Sequence, residues 1–296
     1  MMRAAVAVLA FLVAVGTSAA QDAPSAGVVS SDLSPQDQPA SPHSSSLIFR
    51  PLVAAAFEPR VGFQYQLGPR KLRLDIGYSA DIWSTRRAVE NASSQANALA
   101  FGVDAFTYTR LRSEANLKFP VETVDYMFGI NGTYALAISA TRSLAFRVRL
   151  SHISAHLADG YADSSGRFLQ RPFVYSREFL DAIVAHTWAN VRIYGGGTVL
   201  LQVKELPRSV GRIIPQLGVE WHGSNGFPVF AGYDVRVVQI DRVVQPVHSV
   251  QAGVYLLAQR TASVALCGYY YAGYSIHGMF YDQRDEYLAL GMQVLF

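Results

Sequence analysis

His152, Ser154 and His156 occupy every second position near the end of the run Leu144–Asp159, which reads LAFRVRLSHISAHLAD. On an extended strand, residues two apart project from the same face. An imidazole and a hydroxyl at this spacing can approach hydrogen-bond distance, so His152 can take the proton of Ser154 as that oxygen attacks an ester. The same face carries Leu144, Phe146, Val148 and Leu150, while Arg147, Arg149 and Ser151 occupy the other. In a soluble barrel the apolar face would turn inward and the arginines would meet water. In a membrane barrel the apolar face meets lipid, the arginines line the lumen, and the His/Ser pair lies at the lipid boundary. A lipid ester could reach it there without leaving the bilayer.

A serine–histidine pair needs a third group to orient the imidazole. The next predicted strand runs from about Phe173 to Trp188, and its apolar side carries Leu180, Ala182, Val184 and Trp188. That places Ser176 and Glu178 on the lipid-facing side, with Glu178 at a height similar to His152. A lone carboxylate against lipid is costly, so a partner is expected, and Ser176 and His156 are alternatives for that role. His156, Asp159 and Asp163 form a second candidate group, suited to a divalent cation or a lipopolysaccharide headgroup. Hard cations favour oxygen ligands, so the two carboxylates suit calcium better than the histidines, although the spacing is not that of a known calcium loop. The competing reading is an interfacial polar band where a strand leaves the membrane. His43 with Ser45, and His222 with Ser224, repeat the His-x-Ser spacing. The second of these sits with Glu220 on the polar face and runs into Ser224-Asn225-Gly226, a hairpin signal. Gly195-Gly196-Gly197 opens no helix and is no phosphate loop.

The elements that must position these residues are strands. Residues 1–20 have Arg3, an apolar stretch and Ser18-Ala19-Ala20 before Gln21, the pattern of a cleaved signal peptide. Residues 21–46, rich in Ser, Pro, Asp and Ala, read as a flexible periplasmic lead. Residues 47–296 read as an all-β domain, a transmembrane antiparallel barrel of about twelve strands, because segments of about ten residues alternate in polarity with abundant Tyr, Phe and Gly. Tyr126, Phe128 and Ile130 show this alternation, as do Ile193, Val199, Leu201 and Val203 against Arg192, Gln202 and Lys204. The polar face carries charges of both signs, which a dry core could not hold unpaired. Leu288, Leu290, Met292, Val294 and Phe296 alternate to a terminal aromatic residue that resembles the assembly signal of bacterial outer-membrane proteins. Cys267 is the only cysteine, so disulfides are excluded. A formal charge of +3 with no basic run gives no case for nucleic acid.

Counting back from Phe296 predicts tight periplasmic turns near residues 260–261, 224–226, 189–190 and 140–141, and external loops near 85–97, 157–172 and 277–285. This count begins at Leu72 and leaves Arg60 to Leu67 as one strand too many, an inward-packed or periplasmic segment. Arg147, Arg149, Arg177, Asp181, Lys204, Glu220, Asp234 and Arg236 are expected in the lumen, where mixed charges would pair and block it.

Ile48-Phe49-Arg50-Pro51-Leu52, Glu58-Pro59-Arg60, the His152–Asp159 run and Tyr175-Ser176-Arg177-Glu178 together resemble the outer-membrane domain-of-unknown-function family 1207. The resemblance implies a membrane barrel and brings no established activity; the chain departs from the family pattern at Ala155, Ala158 and Gly160. His152-Ile153-Ser154 is similar to the His-x-Ser pair of outer-membrane phospholipase A and of the lipid A deacylases. The deacylase likeness implies Ser154 as nucleophile, His152 as base and Glu178 as orienting acid, and the phospholipase likeness implies calcium at the site. The expectation is therefore a bacterial outer-membrane barrel acting as a serine-type lipid-ester hydrolase at the outer leaflet. Its partners would be outer-membrane lipids or lipopolysaccharide, and the assembly machinery through Phe296. The alternatives are a narrow transport or solute-binding barrel, or a structural barrel with an external headgroup- or cation-binding loop.

Overall fold

The structure, a computed structural model, describes residues 47–85, 97–223, 227–258 and 263–295. The predicted signal and lead, the turns at 224–226 and 260–261, most of the 85–97 loop and Phe296 lie outside the described residues. Twelve antiparallel strands close into a barrel in sequence order. They are β1 (Val61–Gln66), β2 (Lys71–Ser84), β3 (Ala98–Arg112), β4 (Val121–Ser139), β5 (Arg142–Leu157) and β6 (Tyr175–Trp188), followed by β7 (Val191–Val203), β8 (Ile213–His222), β9 (Val229–Ile240), β10 (Val243–Ala258), β11 (Ser263–Tyr274) and β12 (Arg284–Leu295).

The wall is inverted relative to a soluble protein. Ile76, Phe128, Ile130 and Leu217 are each more than half exposed, whereas Arg73, Asp75, Asp104, Arg147 and Glu220 are buried. Apolar side chains outside and ionised ones within are the arrangement required when lipid surrounds the wall. Aromatic residues gather at the rim, where Trp83 stacks on Phe101 at 5.8 Å and Arg142 lies over Trp188 at 5.1 Å.

Three expectations are corrected. Residues 61–66 are wall, and eleven strands follow them: Val61 pairs with Val294 and Gly62 with Asp75, closing the barrel. The segment is short, but Gln64 and Gln66 point inward and Phe63 outward, so it obeys the same alternation. Two strands, β3 and β4, separate the 85–97 connection from the 140–141 turn, so that connection emerges at the end of the 140–141 and 189–190 turns, opposite the 158–174 and 275–283 loops. Finally, the register of β6 with β7 steps from Glu178↔Gln202 to Phe179↔Leu200, leaving Leu201 as an extra residue. This bulge turns Leu201 and Gln202 both outward, and Val203 then packs inward. Lys204 lies past the end of β7 and is exposed rather than in the lumen.

The lumen is filled from the turn end by residues 47–60. Phe49, Leu52 and Ala55 pack on Ile183, Ala185 and Tyr194, and Ile48 packs on Ala98 and Ala100. Val53 N–H donates to Glu220 at 2.5 Å, and Phe49 sits between the guanidinium groups of Arg147 and Arg192, at 4.6 and 4.5 Å. Glu58 takes a bidentate pair from Arg147 at 2.6 and 2.8 Å, with Arg149 at 3.6 Å. Burial pushes the Glu58 carboxyl up, but the two arginines outweigh it and hold the group at about 2. Gly232 gives the plug room, since a Cβ there would lie 3.2 Å from Val53. At the loop end, His277 and Gly278 bond Asp125 at 2.8 and 2.6 Å, and Phe280 lies under Arg110 at 4.1 Å. The loop thereby folds in over the opening.

Candidate functional site on the outer face

β4, β5 and β6 set the site by register. Phe128 pairs with His152 and Tyr126 with Ser154 across β4 and β5; His152 then pairs with Glu178, and Ser154 with Ser176, across β5 and β6. Residues directly opposite on antiparallel strands project to the same face, so the four polar groups form one patch on the lipid-facing surface near the loop end. His152, Ser154, Ser176 and Glu178 are half-buried, and His156 beyond them is exposed.

His152 Nδ1 lies 2.8 Å from Glu178 Oε1. A carboxylate at Nδ1 accepts a hydrogen bond from Nδ1–H, which leaves Nε2 as the basic nitrogen. Phe128 lies against the His152 ring, with centroids 5.0 Å apart, and Tyr126 lies 6.1 Å from the His156 ring. Glu178 Oε2 has no hydrogen-bond partner among the described residues. Ser154 Oγ makes no hydrogen bond to His152 among them either; catalytic hydrogen bonds without substrate are often long and tighten only in the complex. Of the two alternative partners for Glu178, Ser176 stands beside Ser154 and His156 faces Tyr126. The bond to Glu178 is made by His152.

Gln202, which the alternation of β7 assigned to the lumen, is the outward register partner of Glu178. It extends the polar patch onto a third strand. A bulge leaves no mark in a two-residue polarity pattern beyond one broken repeat, and Gln202-Val203-Lys204 continues the pattern without a visible break.

The three residues expected to hold a cation are not gathered. Asp163 Oδ1 accepts from Ser165 Oγ at 2.6 Å and from the N–H groups of Ser165 and Arg167, and Oδ2 accepts from Arg167 at 3.3 Å. The Ser165 hydroxyl, followed by the Arg167 N–H, holds the Asp163 carboxyl below its ordinary range. Its lone pairs are engaged in shaping the loop. Among the described residues, no three His, Cys, Asp or Glu side chains are grouped as a metal site. Two departures from the family pattern also have local causes. A Cβ at Gly160 would lie 2.3 Å from Val121 O, and Ala155 packs where a Cβ on Gly278 would lie 2.7 Å away. His222 is on the lumen side as expected, 3.9 Å from Glu220, with its following serine outside the described residues.

The family model that describes DUF1207, a protein of unknown function, matches residues 87–296. No curated protein matches the sequence. Among solved structures, the fold is similar to outer membrane phospholipase A from Escherichia coli, with a TM-score of 0.55 and 11% identity over 86% of this chain and 95% of that one. It is similar to the same degree, TM-score 0.56 and 11% identity over the same shares, to the calcium-bound dimer of the Salmonella typhi outer membrane phospholipase. At this identity the likeness concerns the barrel fold.

Proposed function

The chain belongs to the DUF1207 family of proteins of unknown function, and from that premise we propose that it is an outer-membrane serine hydrolase that cleaves lipid esters at the outer leaflet. Ser154 is the nucleophile, His152 the base and Glu178 the orienting acid. The observation that carries this reading is the 2.8 Å bond between His152 and Glu178, beside Ser154, on a face made mostly of exposed apolar side chains. An ionisable pair is expensive against lipid, which points to a use for it there.

The chemistry runs on this chain's own groups. Glu178 holds Nδ1–H, which leaves Nε2 of the imidazole as the base for the hydroxyl two residues on. Nε2 takes the Ser154 proton as Oγ attacks the acyl carbonyl, and it returns that proton to the departing alcohol oxygen. Water, deprotonated by the same nitrogen, then attacks the acyl-serine carbonyl; the bond to Oγ breaks, the acyl group leaves as a carboxylic acid, and Nε2 returns the proton to Ser154 Oγ. Phe128 and Tyr126 flank the histidines and present apolar surface to an acyl chain. The calcium bound by the Salmonella phospholipase has no matching ligand set among the described residues, so no step is assigned to it. The loop end, with the longer connections, is the external end in this reading. A transport role has against it the plug of residues 47–60 and the closed ion pairs of the lumen.

The test is covalent labelling of the folded, detergent-purified protein by a fluorophosphonate, comparing wild type with Ser154→Ala and Ser224→Ala. Label lost only in Ser154→Ala, followed by acyl release from phospholipid or lipid A that the same substitution abolishes, is the expected result. Absence of labelling with and without calcium rules out the hydrolase.

A further inference from the structure

Between the plug and the infolded 275–283 loop lies a second candidate site, inside the barrel and separate from the outer-face patch. A cavity of about 90 Å³ is bounded by Ala55–Glu58 on one side and by Ser275, Ile276 and Tyr281 on the other. Its walls are largely apolar and aromatic, with Ile153, Phe179, Leu200 and Ile214 among the contributors.

Two of its three arginines differ from the rest of the lumen. Arg60 and Arg73 lie against Asp75, Arg110 against Glu122, Arg147 and Arg149 against Glu58 and Asp181, and Arg192 against Glu220, all within 4.0 Å. Arg177 and Arg236 also line the cavity, and neither makes an ion pair among the described residues. Arg177 lies over the rings of Tyr175 at 4.4 Å and Tyr281 at 5.7 Å, and its Nε has no partner. Arg236 lies over Phe57 at 4.8 Å and donates once, to Thr198 Oγ1 at 3.2 Å, with its Nε also unfilled. Of the carboxylates nearby, Glu58 and Asp181 are paired with Arg147, and Asp234 accepts from Tyr194 and Gln216 at 2.8 and 2.6 Å while attracting Arg236.

Asp234 attracts Arg236 from the same cavity wall, whereas no carboxylate lies within ion-pair distance of Arg177 among the described residues, and a half-buried guanidinium without a counter-ion beside apolar walls favours an anion from outside the chain. Aromatic rings lie against both groups, and the nitrogens not already bonded remain as donors for an oxyanion. We propose that this cavity binds an amphiphile with one carboxylate, its head group held by Arg177 and Arg236 and its apolar body against the Ile153, Leu200 and Ile214 wall. The proposal stands without the outer-face serine.

Calorimetric titration of the full-length protein, folded in neutral detergent, tests it with octanoate, octan-1-ol and inorganic phosphate, each corrected for titration into micelles alone. Octanoate is expected to saturate at one site. Octanol, lacking the charge, and phosphate, lacking the chain, are each expected to bind about tenfold more weakly or less. Arg177→Gln with Arg236→Gln should weaken octanoate by a similar factor while the folded band on unheated gels persists, and Ser154→Ala should bind octanoate as wild type does. Ile276→Trp narrows the cavity with both arginines intact and serves if the double variant does not fold; it should also weaken octanoate. The proposal is overturned if phosphate binds as tightly as octanoate, if Ser154→Ala abolishes binding, or if Ile276→Trp leaves it unchanged.

Discussion

The ionisable groups on the two faces of the wall, only a strand's thickness apart, are treated in opposite ways. Toward the plug, Arg147 donates twice to Glu58 and faces Asp181 as well, so each charge is answered and held by several partners. On the lipid side, His152 and Glu178 answer only each other, Glu178 Oε2 has no partner among the described residues, and Ser154 stands two residues away on the same face. A many-partnered buried network fixes a conformation. A sparsely partnered pair at an interface keeps an unused lone pair and a free ring nitrogen, which is what proton transfer needs.

The sharpest way to break this contrast is at the outer face. Ser154→Ala should abolish fluorophosphonate labelling and lower lipid-ester turnover by on the order of 10³-fold or more, with the barrel still folded. Full turnover in this variant would make the patch an interfacial band and nothing more. Glu178→Gln keeps the shape but offers Nδ1 an amide in place of a carboxylate; the expected loss in turnover is roughly 10²–10⁴-fold, with substrate affinity little changed. If that loss instead fell on affinity, Glu178 would be binding the headgroup.

The inner face should respond in stability and conductance, not in chemistry. Glu58→Ala leaves Arg147 and Arg149 buried with one carboxylate, Asp181, between them, at a cost of about 3–5 kcal/mol. The plug should loosen, so that planar bilayers show current for the variant where wild type shows none; steady current through wild type would contradict the plugged lumen. The same carboxyl predicts a pH response. Its folded value of about 2 lies below the ordinary 4.5, so the stability it contributes is complete above pH 4.5 and is lost as pH falls toward 2. Glu58→Gln should flatten that acid limb in a thermal-denaturation series; an unchanged limb would place the acid-sensitive lock elsewhere.

How much of this was legible in the chain follows from what each signal encodes. Period-two alternation gave the barrel, the lipid-facing side of Leu144–His156 and the neighbourhood of His152 and Glu178, because facing is a local property of a strand. The plug was not legible: Phe49, Leu52 and Glu58 have no repeat, and their partners lie on β5, β6 and β7, contacts that exist only once the barrel has closed. The ends of the barrel were half legible, since the two strands β3 and β4 between the 85–97 connection and the 140–141 turn bring both to the same end. The cation group failed for a different reason. Residue type and proximity in sequence placed Asp163 in it, whereas the turn that Asp163 builds with Ser165 and Arg167 consumes its oxygens.

Gln202 offers the finest test, because it reached the outer face only through the bulge at Leu201. As the register partner of Glu178 it stands on the far side of the carboxylate from His152, where an amide N–H could steady the unpartnered oxygen. Gln202→Ala should cost roughly 0.5–1.5 kcal/mol of transition-state stabilisation, seen as a modest fall in turnover. Gln202→Glu, which sets a second carboxylate opposite Glu178, should lower turnover further. A substitution that changed thermal stability but left turnover in place would mean that Gln202 belongs to the wall and that the site ends at β6.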